Sequence, residues 1–196
     1  MPNAELLDIL ARQSIRKGDF VLASGARSHY YCDVRATALS PRGGRLCGEA
    51  MLEHLSFHEI EAVGGMAMGA AYLASAVALA SDGTSRPLPA FVVRPAAKDH
   101  GMASRIDAAW HADGPLIRKG RRVAVLDDVV TSAGSILRAL DAVEAAECEV
   151  VAVAAVLDRQ AGGAERIRAR GYPFAALFLA DEHGDLSPGR GWPVSA

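Results

Sequence analysis

One stretch constrains this chain more than any other: Val123-Ala-Val-Leu-Asp127-Asp128-Val-Val-Thr131-Ser-Ala-Gly-Ser135. The apolar run reads as a buried strand, and the small, hydroxyl-rich residues after the acid pair read as a turn into a helix. Such a loop can present backbone N–H groups and hydroxyls to a phosphate at the helix N-terminus. The two aspartates are badly placed to grip that phosphate, because like charges repel. They suit the hydroxyls of a sugar attached to it, since ionised carboxylates only accept hydrogen bonds. A simpler reading makes the acids, Thr131 and Ser132 caps for a helix starting near Ser135, although a cap needs one acid rather than two. A sugar phosphate is the first ligand to consider.

The surrounding pattern says what kind of sheet holds this strand. Apolar strands are expected at Glu61–Val63, Ala90–Arg94, Arg122–Leu126, Glu149–Leu157 and Phe174–Leu179. Helices are expected between them at Gly69–Ala80, Ser135–Ala146 and Gly163–Arg170. Strands apolar along most of their length, alternating with helices, imply a parallel sheet covered on both faces. Ligands of such sheets bind at the carboxyl ends of the strands, where the acid pair falls.

Upstream, Leu6, Leu7, Leu10, Ala11 and Ile15 recur at helical spacing, which predicts an opening helix running to about Gly18. A short strand follows at Phe20–Gly25, a loop at Pro41, and a helix over Leu46–Leu55. His54 and His58, four residues apart, are expected on the surface of that helix. Ala96–Leu116 is polar, lacks periodicity, and has the length of a functional loop. The stretch from Asp181, rich in Gly and Pro, is expected to be irregular.

With 196 residues, 51% of them hydrophobic, the chain can bury a core as one domain. A formal net charge of −2 gives no support for electrostatic binding to nucleic acid or an anionic membrane. Cys32, Cys47 and Cys148 are widely spaced and odd in number, as expected of reduced thiols rather than a disulfide framework or zinc site. The first residues lack the basic start and apolar core of a signal peptide, so a cytoplasmic protein is expected.

The second strong signal is Phe91-Val-Val-Arg94-Pro-Ala-Ala-Lys98-Asp99-His100-Gly101. Arg94 ends a strand and should share a sheet edge with Asp127. Lys98 and His100 open the polar loop, where both can donate charge-assisted hydrogen bonds to an anionic leaving group. A solvated surface loop is the alternative.

The acid-pair stretch resembles the phosphoribosyl pyrophosphate (PRPP) signature of the type I phosphoribosyltransferases. The Arg94–Gly101 stretch resembles the catalytic loop of the orotate phosphoribosyltransferases within that group. Phe20-x-Leu22-x-Ser24-Gly25-x-x-Ser28-x-Tyr30-Tyr31-x-Asp33-x-Arg35 is similar to that family's N-terminal hood, and Val63-Gly64-Gly65-Met66-x-x-Gly69-Ala70 to its first phosphate-side loop. Leu157-Asp158-Arg159 is similar to its base-binding strand end. These motifs occur in the family's order from Phe20 to Arg159.

The resemblance implies an α/β fold of the type I phosphoribosyltransferase kind: a parallel central sheet flanked by helices, with a small N-terminal hood. It implies one domain over 1–196, with the hood in 1–58, the core in 59–180 and a flexible catalytic loop in 95–116. By the same resemblance, Asp127 and Asp128 hold the ribose hydroxyls, and Thr131, Ser132, Ala133, Gly134 and Ser135 bind the 5′-phosphate. Arg94, Lys98 and His100 contact pyrophosphate, while Tyr30, Tyr31 and Arg159 surround orotate. A guanidinium suits that position because it can clamp a carboxylate bidentately; an ion pair with Asp158 is the alternative for Arg159, and plain packing the alternative for the tyrosines. The implied reaction makes orotidine 5′-phosphate and pyrophosphate in pyrimidine synthesis. Mg²⁺ is held chiefly through substrate oxygens with no direct protein ligand set, in a homodimer whose loop closes over the neighbour's site.

The chain departs from the family pattern at Pro95, Ala23 and Met68, where many members carry Lys, and at Ala133, where Gly is common. Three missing cations should weaken PRPP binding unless Arg27, Arg105 or a partner subunit compensates. At Ala133 the consequence depends on whether the position needs a positive φ. Two other functions compete: a phosphoribosyltransferase for purine or another base, and a PRPP-sensing regulator without catalysis. Lys98 and His100 favour an enzyme, because a sensor has no leaving group to stabilise.

Overall fold

A computed structural model describes residues 4–21, 27–96, 105–108, 110–111, 114–190 and 192. In chain order the elements begin with α1 (Ala4–Gln13), β1 (Ile15–Val21), β2 (Arg27–Cys32), α2 (Arg35–Ala38), α3 (Pro41–Leu55), β3 (Ala62–Met66) and α4 (Gly69–Ser81). They continue with β4 (Ala90–Val93), β5 (Ile106–Ala108), β6 (Trp110–His111), β7 (Gly114–Pro115) and β8 (Arg122–Val130). The last are α5 (Gly134–Ala145), β9 (Glu149–Asp158), α6 (Gly163–Ala169), β10 (Phe174–Ala180) and β11 (Leu186–Pro188).

Seven strands form the central sheet in the order β11-β10-β9-β8-β3-β4-β5. The inner five are parallel, as the apolar strand pattern predicts, and β5 and β11 close the two edges antiparallel. Side chains alternate across β8: Ala124 and Leu126 join one core with α1, α3 and α4, while Val123 and Val125 join a second with α5 and α6. Both faces are thus covered. Among the described residues no helix is long and apolar enough to cross a membrane.

Several boundaries differ from the sequence-based expectation. The opening helix stops at Gln13 rather than near Gly18, and Ile15 starts a strand that pairs with β2 as the hood hairpin. Ile15 fits the helical spacing but serves the hairpin, whose mostly exposed residues give no strong strand signal. Helix α3 begins at Pro41, not Leu46, because Ser40 accepts a hydrogen bond from Gly43 N (3.1 Å) and Pro41 is well suited to the first helical position. The supposedly irregular C-terminal stretch contributes β11. The expected loop at 95–116 contains β5 and the β6–β7 pair, and its last residue, Leu116, is buried; residues 97–104, 109, 112 and 113 lie outside the described residues.

His54 and His58 are not simple surface residues. Trp192 stacks on His54 (ring centroids 5.0 Å apart), meets His58 edge-on (4.3 Å), and donates its indole N–H to the His54 carbonyl at 2.6 Å. A distant C-terminal residue covers that part of the helix, which local spacing could not reveal.

Candidate active site

Strand β8 runs through the acid pair to Val130, four residues beyond the expected end at Leu126. This extension matters because neighbouring residues of a strand face opposite ways. Asp127 is almost fully buried and accepts a hydrogen bond from the Ser135 hydroxyl on α5. Asp128 turns toward the first residue of α4, where a Cβ on Gly69 would lie 2.3–2.5 Å from its carboxylate atoms. Only the absence of a side chain at Gly69 leaves room for that carboxylate.

The pair is electrostatically unequal. Burial first, then the nearby Asp128 charge, raise the Asp127 pKa to about 7, while the Ser135 hydroxyl pulls it down. Asp127 also accepts from Asp128 N (3.0 Å), and Asp128 accepts from Val129 N (2.9 Å). The two carboxylates are therefore held from their own backbone before any ligand arrives.

The loop after β8 enters α5 through Ala133, whose φ of 61° is left-handed. The conditional question at Ala133 is answered: the position does need a positive φ. The N-cap residue of α5 is Ala133, which makes no side-chain cap, and among the described residues neither acid is recorded as capping the helix. Ser135 has given its hydroxyl to Asp127, and the first-turn N–H groups stay available to an anion. The loop backbone is braced from α6, with Arg166 donating to the Ser132 carbonyl (2.7 Å). Thr131 is half-buried, Ser132 exposed and Gly134 half-buried beside them.

At the next strand end, Arg159 N donates to the Val130 carbonyl (2.9 Å), which sets Arg159 directly beside the loop that follows β8. The Arg159 side chain reaches the hood: Nε donates to the Tyr30 hydroxyl (2.9 Å) and Nη2 to the Ser28 hydroxyl (3.2 Å). No ion pair joins Arg159 to Asp158 among the described residues; Asp158 instead accepts from Gln160 N (2.8 Å). Tyr30 is buried under the hood and its hydroxyl serves Arg159, whereas Tyr31 is 41% exposed and packs near Phe20. Burial pushes the Cys32 thiol up to about 12, with Arg159 opposing and Asp128 adding to the rise, so the hood, Arg159 and Asp128 share one region.

Arg94 follows β4 and pairs with Asp107 of β5 (3.1 Å). Arg105 donates to the Pro95 carbonyl (3.1 Å) and more weakly to that of Arg94. Arg105 thus stands beside Pro95, with its guanidinium turned to the backbone carbonyls. Met68 is exposed; Lys98, His100 and Ala23 lie outside the described residues. Ser28 and Asp107 were not assigned roles from sequence. The Ser-x-Tyr spacing of the hood was the available signal for Ser28, and the Ile-Asp-Ala alternation for Asp107. Among the described residues no three His, Cys, Asp or Glu side chains form a metal cage.

Comparison with known proteins agrees with this geometry. A family model described as phosphoribosyl transferase domain matches residues 46–170. A curated orotate phosphoribosyltransferase of Streptomyces avermitilis is 40% identical over 180 residues, covering 91% of this chain and 95% of the relative. Another, from Rhodopseudomonas palustris, is 37% identical, covering 91% and 94%. The crystal structure of the Mycobacterium tuberculosis orotate phosphoribosyltransferase with Fe(III) dicitrate superposes with a TM-score of 0.76 at 37% identity, covering 90% of this chain and 94% of that one. The same enzyme with PRPP gives 0.73 at 34% identity, with the same coverage. With its acid-pair strand, its hood and its similarity over nine-tenths of its length, the chain belongs to the orotate phosphoribosyltransferase family.

Proposed function

We infer that this protein is an orotate phosphoribosyltransferase, which transfers the 5-phosphoribosyl group of PRPP to orotate and releases orotidine 5′-phosphate and pyrophosphate. The observation that carries the reading is the adjacency of two anchors on neighbouring strands. Asp127 and Asp128 near the end of β8 suit ribose hydroxyls, and Arg159 just past β9 suits a carboxylate. A purine lacks that carboxylate, so Arg159 favours orotate.

In the reaction the bond from ribose C1 to the pyrophosphate oxygen breaks with its electron pair leaving on pyrophosphate, and a bond from C1 to a ring nitrogen of orotate forms as that nitrogen gives up its proton. Positive charge builds on the ribose in the transition state, beside the two carboxylates. The open N-terminus of α5 and the residues from Thr131 to Ser135 hold the 5′-phosphate. Arg94, Lys98 and His100 neutralise the leaving pyrophosphate. No protein nucleophile is required; positioning and exclusion of water do the catalytic work.

The donor set fits Mg²⁺ bound mainly by substrate oxygens, since the two carboxylates are hard ligands that no third His, Cys, Asp or Glu joins among the described residues. The ion supplies charge neutralisation to pyrophosphate when bound, and Asp127 and Asp128 are the residues placed to hold it through ribose. A cytoplasmic location and a homodimer sharing its active sites belong to the same proposal.

The test is turnover of purified protein with PRPP, Mg²⁺ and orotate, followed as loss of orotate absorbance. Orotate-dependent release of pyrophosphate is expected. Turnover with adenine or guanine and none with orotate would overturn the base assignment, and PRPP binding without turnover on any base would make the protein a sensor.

A further inference from the structure

The hood does more to Arg159 than cover it. A guanidinium has two forks suited to a carboxylate: the side-on edge of Nε and Nη2, and the end-on edge of Nη1 and Nη2. The hood occupies both nitrogens of the side-on edge, through Tyr30 and Ser28. Its oxygens are themselves fixed, because Ser28 donates its hydroxyl to the Tyr30 carbonyl (2.7 Å). The Tyr30 ring lies against the same guanidinium, with Arg159 Cζ 4.4 Å from its centroid. Among the described residues Nη1 has no hydrogen-bond partner.

Tyr30 is in turn seated by a distant turn. Gly184, at φ +79°, lies so close that a Cβ there would stand 2.7 Å from Tyr30 Cγ. That turn is closed by Asp181, which accepts from His183 N (2.9 Å) and Asp185 N (2.8 Å). Lys17 of the hood strand β1 ties to Asp185 at 2.6 Å. The hood hairpin and the 181–185 turn thus hold Tyr30 from both sides.

We propose that Tyr30 and Ser28 are positioning residues for Arg159: they occupy its side-on edge and present the end-on Nη1–Nη2 edge to the substrate carboxylate, so the hood sets carboxylate selectivity through Arg159. This rests on the reading of Arg159 as the carboxylate clamp.

The experiment compares inhibition by orotidine 5′-monophosphate and uridine 5′-monophosphate, which differ only in the carboxylate, together with kcat and KM for orotate. Tyr30→Phe keeps the ring and removes the acceptor; Ser28→Ala removes the second acceptor, and Ser28→Thr restores it. Tyr30→Phe and Ser28→Ala are each expected to weaken the orotidine nucleotide about tenfold and leave the uridine nucleotide unchanged, the loss expected for one charged hydrogen bond. KM for orotate should rise more than kcat falls, and Ser28→Thr should regain most of the preference. In an Arg159→Ala background Tyr30→Phe should add nothing, because the pair acts as one unit. Equal weakening of both nucleotides by Tyr30→Phe, or an undiminished effect in that background, would overturn the positioning role alone. An Arg159→Ala protein that keeps its preference for the orotidine nucleotide would instead overturn the clamp, and the inference with it.

Discussion

Ser135 donates its hydroxyl to the carboxylate of Asp127, across the turn that joins β8 to α5. A residue expected to bind phosphate therefore also tunes an acid expected to hold the sugar. Ser135 lowers the Asp127 pKa, while burial and Asp128 raise it toward about 7. Ionised Asp127 is the stronger acceptor for ribose hydroxyls, so activity should fall as pH drops through that range. Ser135→Ala should move the acid limb of the kcat/KM profile for PRPP to higher pH, with about a tenfold loss near pH 6. A pH-rate series on the two proteins measures this; an unmoved limb would show that Asp127 does not govern it.

Ala133 holds a left-handed backbone that glycine adopts without penalty. Ala133→Gly should stabilise the fold by up to about 1 kcal/mol, the relief being partly offset by the greater freedom of glycine in the unfolded chain. Urea unfolding reads this directly. A net destabilisation would mean that the buried Ala133 methyl contributes more packing than its backbone costs.

Gly69→Ala places a Cβ where the Asp128 carboxylate now sits. The carboxylate must swing away, so KM for PRPP should rise about tenfold or more, the loss of a well-placed charged acceptor. KM for orotate should change far less, since Arg159 is on another strand. Equal changes in both constants would argue that the substitution disturbs α4 as a whole.

Burial, followed by the neighbouring His58, lowers the His54 pKa to about 4, and burial lowers that of His58 as well. The unfolded chain takes up these protons near pH 6.5, while folded His54 resists until about 4. The contribution to stability is complete above the unfolded value and is lost as pH falls through this window. Thermal unfolding between pH 7 and pH 4 should therefore show a decline that His54→Gln makes shallower. Parallel curves for the two proteins would count against it.

Much of this was legible in advance, for reasons visible in particular residues. Helix α4 was readable because Gly69 opens an apolar run free of charges, whereas Gly64 and Gly65, which look like loop residues, lie inside strand β3. The acid pair was readable because it interrupts an apolar strand. The length of β8 was not, since Asp128 and Val129 look like loop residues until pairing with β9 carries the strand to Val130. Contacts such as Arg159 with Tyr30, or Trp192 with His54, join residues more than a hundred positions apart, and no local pattern encodes them. The hood strand β1 was hidden for the opposite reason: its residues are mostly exposed and leave no alternation to read.

Strands β8 and β9 run side by side with Val130 opposite Asp158. The separation of Asp128 from Arg159 is consequently fixed by the sheet, by its spacing of about 4.8 Å from one strand to the next and by the register that sets their offset along the strands. Loops around the site can change length without altering that measure. A single residue inserted into β9 would shift Arg159 by about 3.3 Å and send it to the other face. With the roles proposed for Asp128 and Arg159, the main chain itself would act as a gauge for the length of the nucleotide.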